Sequence, residues 1–243
     1  MKVLNAVLAH KDFEWTDLPN EELAKYLVFT PNDIKTNMPN VVKFEDDPNF
    51  DNRTYSELAH LIYIRNNIDF DWIVINHYRR KLNVDNYNFI YVPEPFIFAN
   101  TIREVYSQNH NVEDLDLMTE IIESSDIDLN FKFEWLKSLN ENYMICWNMA
   151  SCSREFFCNW IDTYVALTNV FKKLRNFNTF EDIEKHYSND SRPEYNARIL
   201  SFLAERISNC YFRTYVKTHN NLPLINNPLM TCSVKLLEPG QQI

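Results

Sequence analysis

The stretch DWIVINHYRRKL, residues 71–82, begins as one kind of structure and ends as another. Trp72 to Ile75 form an unbroken apolar run of strand length. That pattern suits a strand covered on both faces in the middle of a parallel sheet. Asn76, His77, Tyr78, Arg79 and Arg80 then arrive where the strand must stop. In open α/β sheets, ligands bind outside the carboxyl ends of the strands. Adjacent guanidinium groups match phosphate oxygens bidentately and stay charged at every working pH, so a diphosphate is the natural occupant. The bland alternative is a solvated turn whose arginines pair with surface acids.

Upstream, KVLNAVLA (2–9) reads as a first strand ending at His10 and Lys11. If it lies parallel and close to 71–76, both polar ends share one crevice. A lone histidine such as His10 is otherwise a hydrogen-bonded structural residue. Between them, PNEELAKYL (19–27) reads as a short helix and VVKF (41–44) as a strand. DNRTYSELAHLIYIRNN (51–67) has Thr54 and Glu57 in capping-box spacing and one apolar face, predicting a helix. Downstream, 89–92 and 95–99 read as strands, and Thr101 with Glu104 caps a helix through 108. A further helix falls within 112–124. NYMICWNM (142–149) reads as a strand, 153–174 and 192–209 as helices, and YFRTYV (211–216) as a closing strand. This strand–helix alternation predicts an α/β fold with a mixed, mostly parallel sheet flanked by helices, in one domain over 1–243.

The composition narrows the function. The 243 residues are 45% hydrophobic and 14% aromatic, which is globular. No apolar run reaches the roughly 20 residues that span a bilayer, and the N-terminal stretch lacks a cleavage site, so the expectation is a cytoplasmic protein, host-cytoplasmic if the source is a phage. Five cysteines, at 146, 152, 158, 210 and 232, match no zinc spacing and read as reduced thiols. A net charge of −10 argues against a protein that coats nucleic acid, though a local basic groove is compatible with it. Gly240 is the only glycine, so a G-x-G-x-x-G fold or a Walker loop is excluded. Phosphates must be held by side chains or helix ends.

Several blocks resemble domain-of-unknown-function family 4422, whose members occur in capsular and exopolysaccharide biosynthesis and are regarded as glycosyltransferases. They are KVLNAVLAHKDF, DN-x-x-x-YSEL with its helix, DWIVINHYRRKL, FIFANTIREVYSQNHNVEDLDL (96–117, with His110), Asn148-Met149 before an aromatic helix, and R-x-x-x-FLAER (198–206). The order runs from residue 2 to about 216. Val74 and Ser201 stand where the family usually has glycine, which puts close backbone approach to a ligand there in question. The resemblance implies a GT-A-like, Rossmann-like sheet that binds a nucleotide-diphosphate sugar, uridine-linked in the first instance.

Sugar transfer requires stabilisation of the departing diphosphate and a base for the acceptor hydroxyl. Arg79 and Arg80 are the candidates for the first task, supported by His77 and Lys11, with His10, Lys11 and Tyr78 near the nucleotide. A divalent cation, Mg or Mn, is compatible with such a site. Asp85 is the carboxylate nearest the motif in sequence, although arginine can replace a metal's electrostatic work. Arg198, Ser201, Glu205 and Ser208 share one polar stripe of a helix, next to Arg206. Glu205 is the catalytic carboxylate expected there, or else part of an ordinary solvent-facing stripe. Asp114 could serve instead, and Asn148 could bond a sugar hydroxyl or merely close a strand. Two acceptors fit: a growing glycan, or hydroxymethylcytosine-type bases in phage DNA tracked by VFKKLRNF (170–177). The alternative is a non-catalytic sugar- or nucleotide-binding protein.

Overall fold

The computed structural model describes residues 1–45, 52–218, 224–227, 230–231 and 234–236. Strand β1 (Val3–Leu8) is followed by β2 (Phe13–Trp15), helix α1 (Asn20–Leu23), β3 (Leu27–Thr30) and β4 (Val41–Lys43). Helices α2 (Asn52–Tyr55) and α3 (Glu57–Asn67) lead into β5 (Trp72–His77), β6 (Arg80–Lys81), β7 (Ile90–Pro93) and β8 (Phe96–Ile97). Three helices follow, α4 (Ile102–Asn109), α5 (Val112–Ser124) and α6 (Leu129–Leu139), then β9 (Tyr143–Met144) and β10 (Ser151–Ser153). Helices α7 (Arg154–Arg175), α8 (Phe180–His186), α9 (Pro193–Asn196) and α10 (Ile199–Thr218) precede β11 (Leu224–Asn227), β12 (Met230–Thr231) and β13 (Val234–Leu236).

The main sheet runs β11-β7-β10-β5-β1-β3-β4, with β6 and β12 attached beyond the end of β5. Neighbours are parallel except at β10, which is antiparallel to both β5 and β7. All six residues of β5 are buried, as a central strand requires. Leu8 of β1 lies opposite His77 of β5, so the two strands finish side by side. Asn76 fastens that corner from within. Its Nδ2 donates to the Ala6 carbonyl at 3.1 Å, and its Oδ1 accepts from the Leu82 amide at 3.0 Å. The chain beyond His77 is thereby folded back on itself, and Arg80 pairs antiparallel with His77.

Helices α3, α5, α6, α7 and α10 pack the largest core against one face of the sheet. A smaller cluster around Val7, Phe13, Trp15, Tyr26, Val28 and Tyr78 covers the other face near the end of β1. The capping box at Thr101 is present, with its Oγ1 accepting from the Glu104 amide.

Several elements depart from the sequence reading. The helix expected over 51–67 is interrupted at Ser56, whose φ of 49° is outside helical space, so Thr54 lies inside α2 and Ser56 stands at the cap position of α3. Asp51 lies outside the described residues, as do Cys232 and Gly240. The helix expected over 19–27 stops at Leu23, and the chain enters β3. The strand expected over 142–149 shrinks to Tyr143–Met144, because Trp147 and Asn148 adopt φ of 72° and 49°. The closing strand over 211–216 is instead part of α10. Its aromatic residues are β-prone alone, but Arg213 in this register reaches both Glu134, at 2.6 Å, and Glu141, and Phe212 packs on Trp160. Tertiary partners override local propensity here. Cys146, Cys152, Cys158 and Cys210 are free thiols.

Candidate functional site

A cavity of about 380 Å³ opens at the carboxyl end of β5, walled by α3, α4, the 144–148 segment and α10. A smaller one of about 270 Å³ lies beside it, lined by His10, Lys11, Asn52, Arg53, Ser56 and Arg198. Arg198 lines both, so the cavities meet at its side chain. Its Nε and Nη2 donate to the Ser56 Oγ at 3.0 and 2.7 Å. The kink between α2 and α3 is what presents that hydroxyl. A serine at φ 49°, ψ −130° is costly, and such strain collects where surrounding structure over-determines it.

Arg79 and Arg80 both line the larger cavity. Arg79 lies 5.0 Å over the Tyr78 ring and Arg80 4.5 Å over the Trp147 ring. Among the described residues no carboxylate forms an ion pair with either. Burial, then the like charge of Arg79, pushes the Arg80 guanidinium below its ordinary value. This corner is therefore short of negative charge. An anion would relieve it.

Glu205 faces the same space from α10. Burial raises its carboxyl above the ordinary range, although the Arg206 guanidinium at 3.2 Å and the Trp147 amide pull the other way. Arg206 is itself buried and donates to the Phe202 carbonyl at 2.9 Å. The left-handed pair Trp147-Asn148 serves this wall twice. Trp147 supplies the ring under Arg80, and the buried Asn148 Oδ1 accepts from the Ser208 hydroxyl at 2.7 Å. Ser208 in turn accepts from Trp160 Nε1 at 3.0 Å, which anchors the loop in the core. The stripe Arg198, Ser201, Glu205 thus lines a cavity and is not a solvent-facing surface.

Glu57, the first residue of α3, was not singled out by the sequence reading, which used it only as a capping partner. Its Oε1 lies 3.4 Å from His77 Nε2 and 4.0 Å from His10 Nδ1. Burial alone would raise its carboxyl, but His77's hydrogen bond and charge hold it well below the usual range. Burial lowers both histidines, His10 to about 4. These three groups place ligand atoms within 4.8 Å of one another, the geometry nearest to a cation site among the described residues. The donor set does not fit. His77 Nδ1 accepts the Arg79 amide at 3.2 Å, which fixes the proton on Nε2, the nitrogen a cation would need bare. The arrangement is a His77–Glu57 hydrogen bond with His10 alongside.

Other expected residues are placed elsewhere. Tyr78 is 1% exposed and lines neither cavity, because its ring packs against His10 and Phe13. Asp85 also lies outside both cavity walls and accepts a hydrogen bond from the Tyr91 hydroxyl. Asp114 is fully buried between Arg175 Nη2 at 2.8 Å and the Tyr187 hydroxyl at 2.7 Å. That pairing also takes Arg175 out of the basic run at 170–177.

Residues 83–219, more than half of the chain, match the family described as domain of unknown function (DUF4422). The chain belongs to that family. No curated protein matches it. Among solved structures, this DUF4422 chain is similar to the WbbM bifunctional glycosyltransferase in its apo form, with a TM-score of 0.68 and 13% sequence identity. The match covers 96% of this chain and 46% of that one, so the DUF4422 chain spans less than half the length of WbbM. At that identity the likeness shows the fold, a glycosyltransferase fold with a mostly parallel sheet, as the sequence reading expected. No helix among the described residues is long and apolar enough to cross a membrane.

Proposed function

We propose that the protein transfers a sugar from a nucleotide-diphosphate sugar to a hydroxyl of a glycan acceptor. One observation carries this reading. A single cavity at the ends of parallel strands brings together the unpaired Arg79 and Arg80, the bridging Arg198 and the half-buried carboxylate of Glu205. Breaking the bond between the anomeric carbon and the diphosphate leaves charge on the departing phosphate. Arg79 and Arg80 are placed to receive it, with Arg198 turned between the cavities. The nucleotide belongs in the smaller cavity beside His10 and Lys11, and the sugar in the larger one. Bond formation at the anomeric carbon releases the acceptor hydroxyl's proton. Glu205 accepts it, its raised basicity suiting it to that role. Asn148 Nδ2 and Ser201 supply polar contacts to sugar hydroxyls, and Arg206 holds Glu205 in place. No step is assigned to a divalent cation, since the histidine–glutamate group does not fit one.

The hydroxymethylated DNA base is the weaker acceptor. Arg175 is committed to Asp114, and Lys172 lies over the Tyr55 ring at 5.6 Å, so the basic segment is not a free phosphate track. The test uses uridine- and other nucleotide-diphosphate sugars with the purified chain. At least one raises the melting temperature, and Arg79→Ala abolishes the shift. Mass spectrometry after incubation with a glycan lipid analogue or hydroxymethylcytosine DNA then identifies the acceptor. No thermal response from the wild type to any donor overturns the reading, and donor binding without transfer to either acceptor leaves a sugar-nucleotide-binding protein.

A further inference from the structure

Another cavity, of about 340 Å³, opens beside the larger one, and the two share Asn109 and His110. Its walls are the end of α4 and start of α5 on one side and residues 190–196 on the other. The neck is aromatic. The His110 ring stacks on Phe202 at 4.0 Å and on Tyr195 at 5.4 Å, with interplanar angles of 29° and 15°. Burial pushes the His110 imidazole down to about 3, so this stack is uncharged at neutral pH. Beyond the neck the lining is polar: Gln108, Asn109, Asn111, Ser191 and Asn196, with one acid, Asp190, and one base, Arg192.

That wall is braced before any ligand arrives. Arg192 Nη2 donates to the Asn109 carbonyl at 2.9 Å, and its guanidinium lies 4.5 Å over the Tyr195 ring. Asp190 holds Asn196 Nδ2 at 2.7 Å, while the buried Asn196 Oδ1 has no hydrogen-bond partner. Rigid amides and an acid–base pair of zero net charge suit a neutral, hydroxyl-rich ligand, and Tyr195, exposed at the neck, offers it an apolar contact. A nucleic-acid strand or a further diphosphate would need surplus positive charge, which this wall lacks.

We propose that this groove is a second acceptor subsite, holding the saccharide residue next to the one that receives the sugar. The acceptor is then an oligosaccharide of at least two units, threaded from the groove past Tyr195 and His110 to Glu205. This rests on the transferase reading above. The experiment measures transfer from the active donor to a panel of neutral mono-, di- and trisaccharide nitrophenyl glycosides. The KM for the best disaccharide should be at least tenfold below that of its own terminal monosaccharide. Arg192→Ala should bring that ratio close to one. Ser191→Trp, which fills the groove without removing a brace, should do the same, and both variants should keep the donor-induced thermal shift. Equal KM values in the wild type, or variants that leave the ratio intact, overturn the proposal. So does transfer to no saccharide by a protein that donors still stabilise. Loss of the donor response in the wild type instead removes the transferase reading.

Discussion

Two charged corners of this molecule, one buried and one half-open to solvent, differ in what they leave unpaired. At the corner of α5, α7 and α8, Asp114 is fully enclosed, yet it bonds both the Arg175 guanidinium and the Tyr187 hydroxyl. Burial raises the Asp114 carboxyl, and those two bonds oppose the rise. At the end of β5, Arg79 and Arg80 have no carboxylate among the described residues, and Glu205 sits in surroundings that disfavour its charge. The first corner is complete as folded. The second leaves Arg79 exposed and Arg80 half-buried, both open to an anion. A buried charge that has its partner is read as structure, and half-exposed arginines that line a cavity without an ion-pair partner are read as a site.

The largest break in that comparison is Asp114→Ala. It strands Arg175 and should destabilise the fold by about 3–5 kcal/mol, because an uncompensated charge remains inside. Denaturant unfolding measures the loss, and the surviving folded fraction should still respond to donor. A loss below about 1 kcal/mol would mean the Asp114 corner is no more committed than the surface.

A smaller change of opposite sign is expected at Ser56→Gly. Glycine accepts φ 49°, ψ −130° freely, so the strain of about 1–3 kcal/mol is relieved and the apo protein becomes more stable. Arg198 loses its hydroxyl acceptor at the same time, and the donor-induced thermal shift should shrink. Stabilisation with an undiminished shift would remove Ser56 from the site.

The mildest expected effect concerns pH. His10 and His110 have folded values of about 4 and 3, against about 6.5 when unfolded. Folding opposes their protonation, so stability is lost as pH falls through that window. Glu205 has the opposite sign. Its folded value is raised, so the cost of ionising it appears as pH rises through its unfolded value of about 4.5. Glu205→Gln removes that cost and also the Arg206 pairing, so its melting temperature relative to wild type should rise as pH goes from about 4 to 7. A gap that is constant across pH would show that Glu205 carries no burial penalty.

How much of this was legible in the sequence differs between parts of the site. His77, Arg79 and Arg80 follow an apolar run too regular to be anything but a strand, and the strand's end fixes their location. Arg198, Ser201 and Glu205 share a helical stripe that periodicity alone reveals. Glu57 was visible as an acid at a helix start, but its place between two histidines depends on the pairing of β1 with β5. Asn148 was singled out for a sugar hydroxyl, but its left-handed turn with Trp147 was not, since the apolar stretch reads as strand and asparagine's tolerance of that backbone is a weak signal. Tyr78, expected near the nucleotide, packs its ring on His10 and Phe13 beneath Arg79, a placement that depends on how the chain turns after β5.

By itself the sequence determined the strand β5, the helix capped at Thr101 and the residues able to carry phosphate chemistry, because these depend on period and residue type over a few turns of chain. Only the tertiary structure decided which charges meet, which are left unpaired and where the backbone bends against its preference. Those outcomes depend on contacts between residues far apart in the chain, such as Ser56 with Arg198 or Asp114 with Arg175, and no local pattern encodes them.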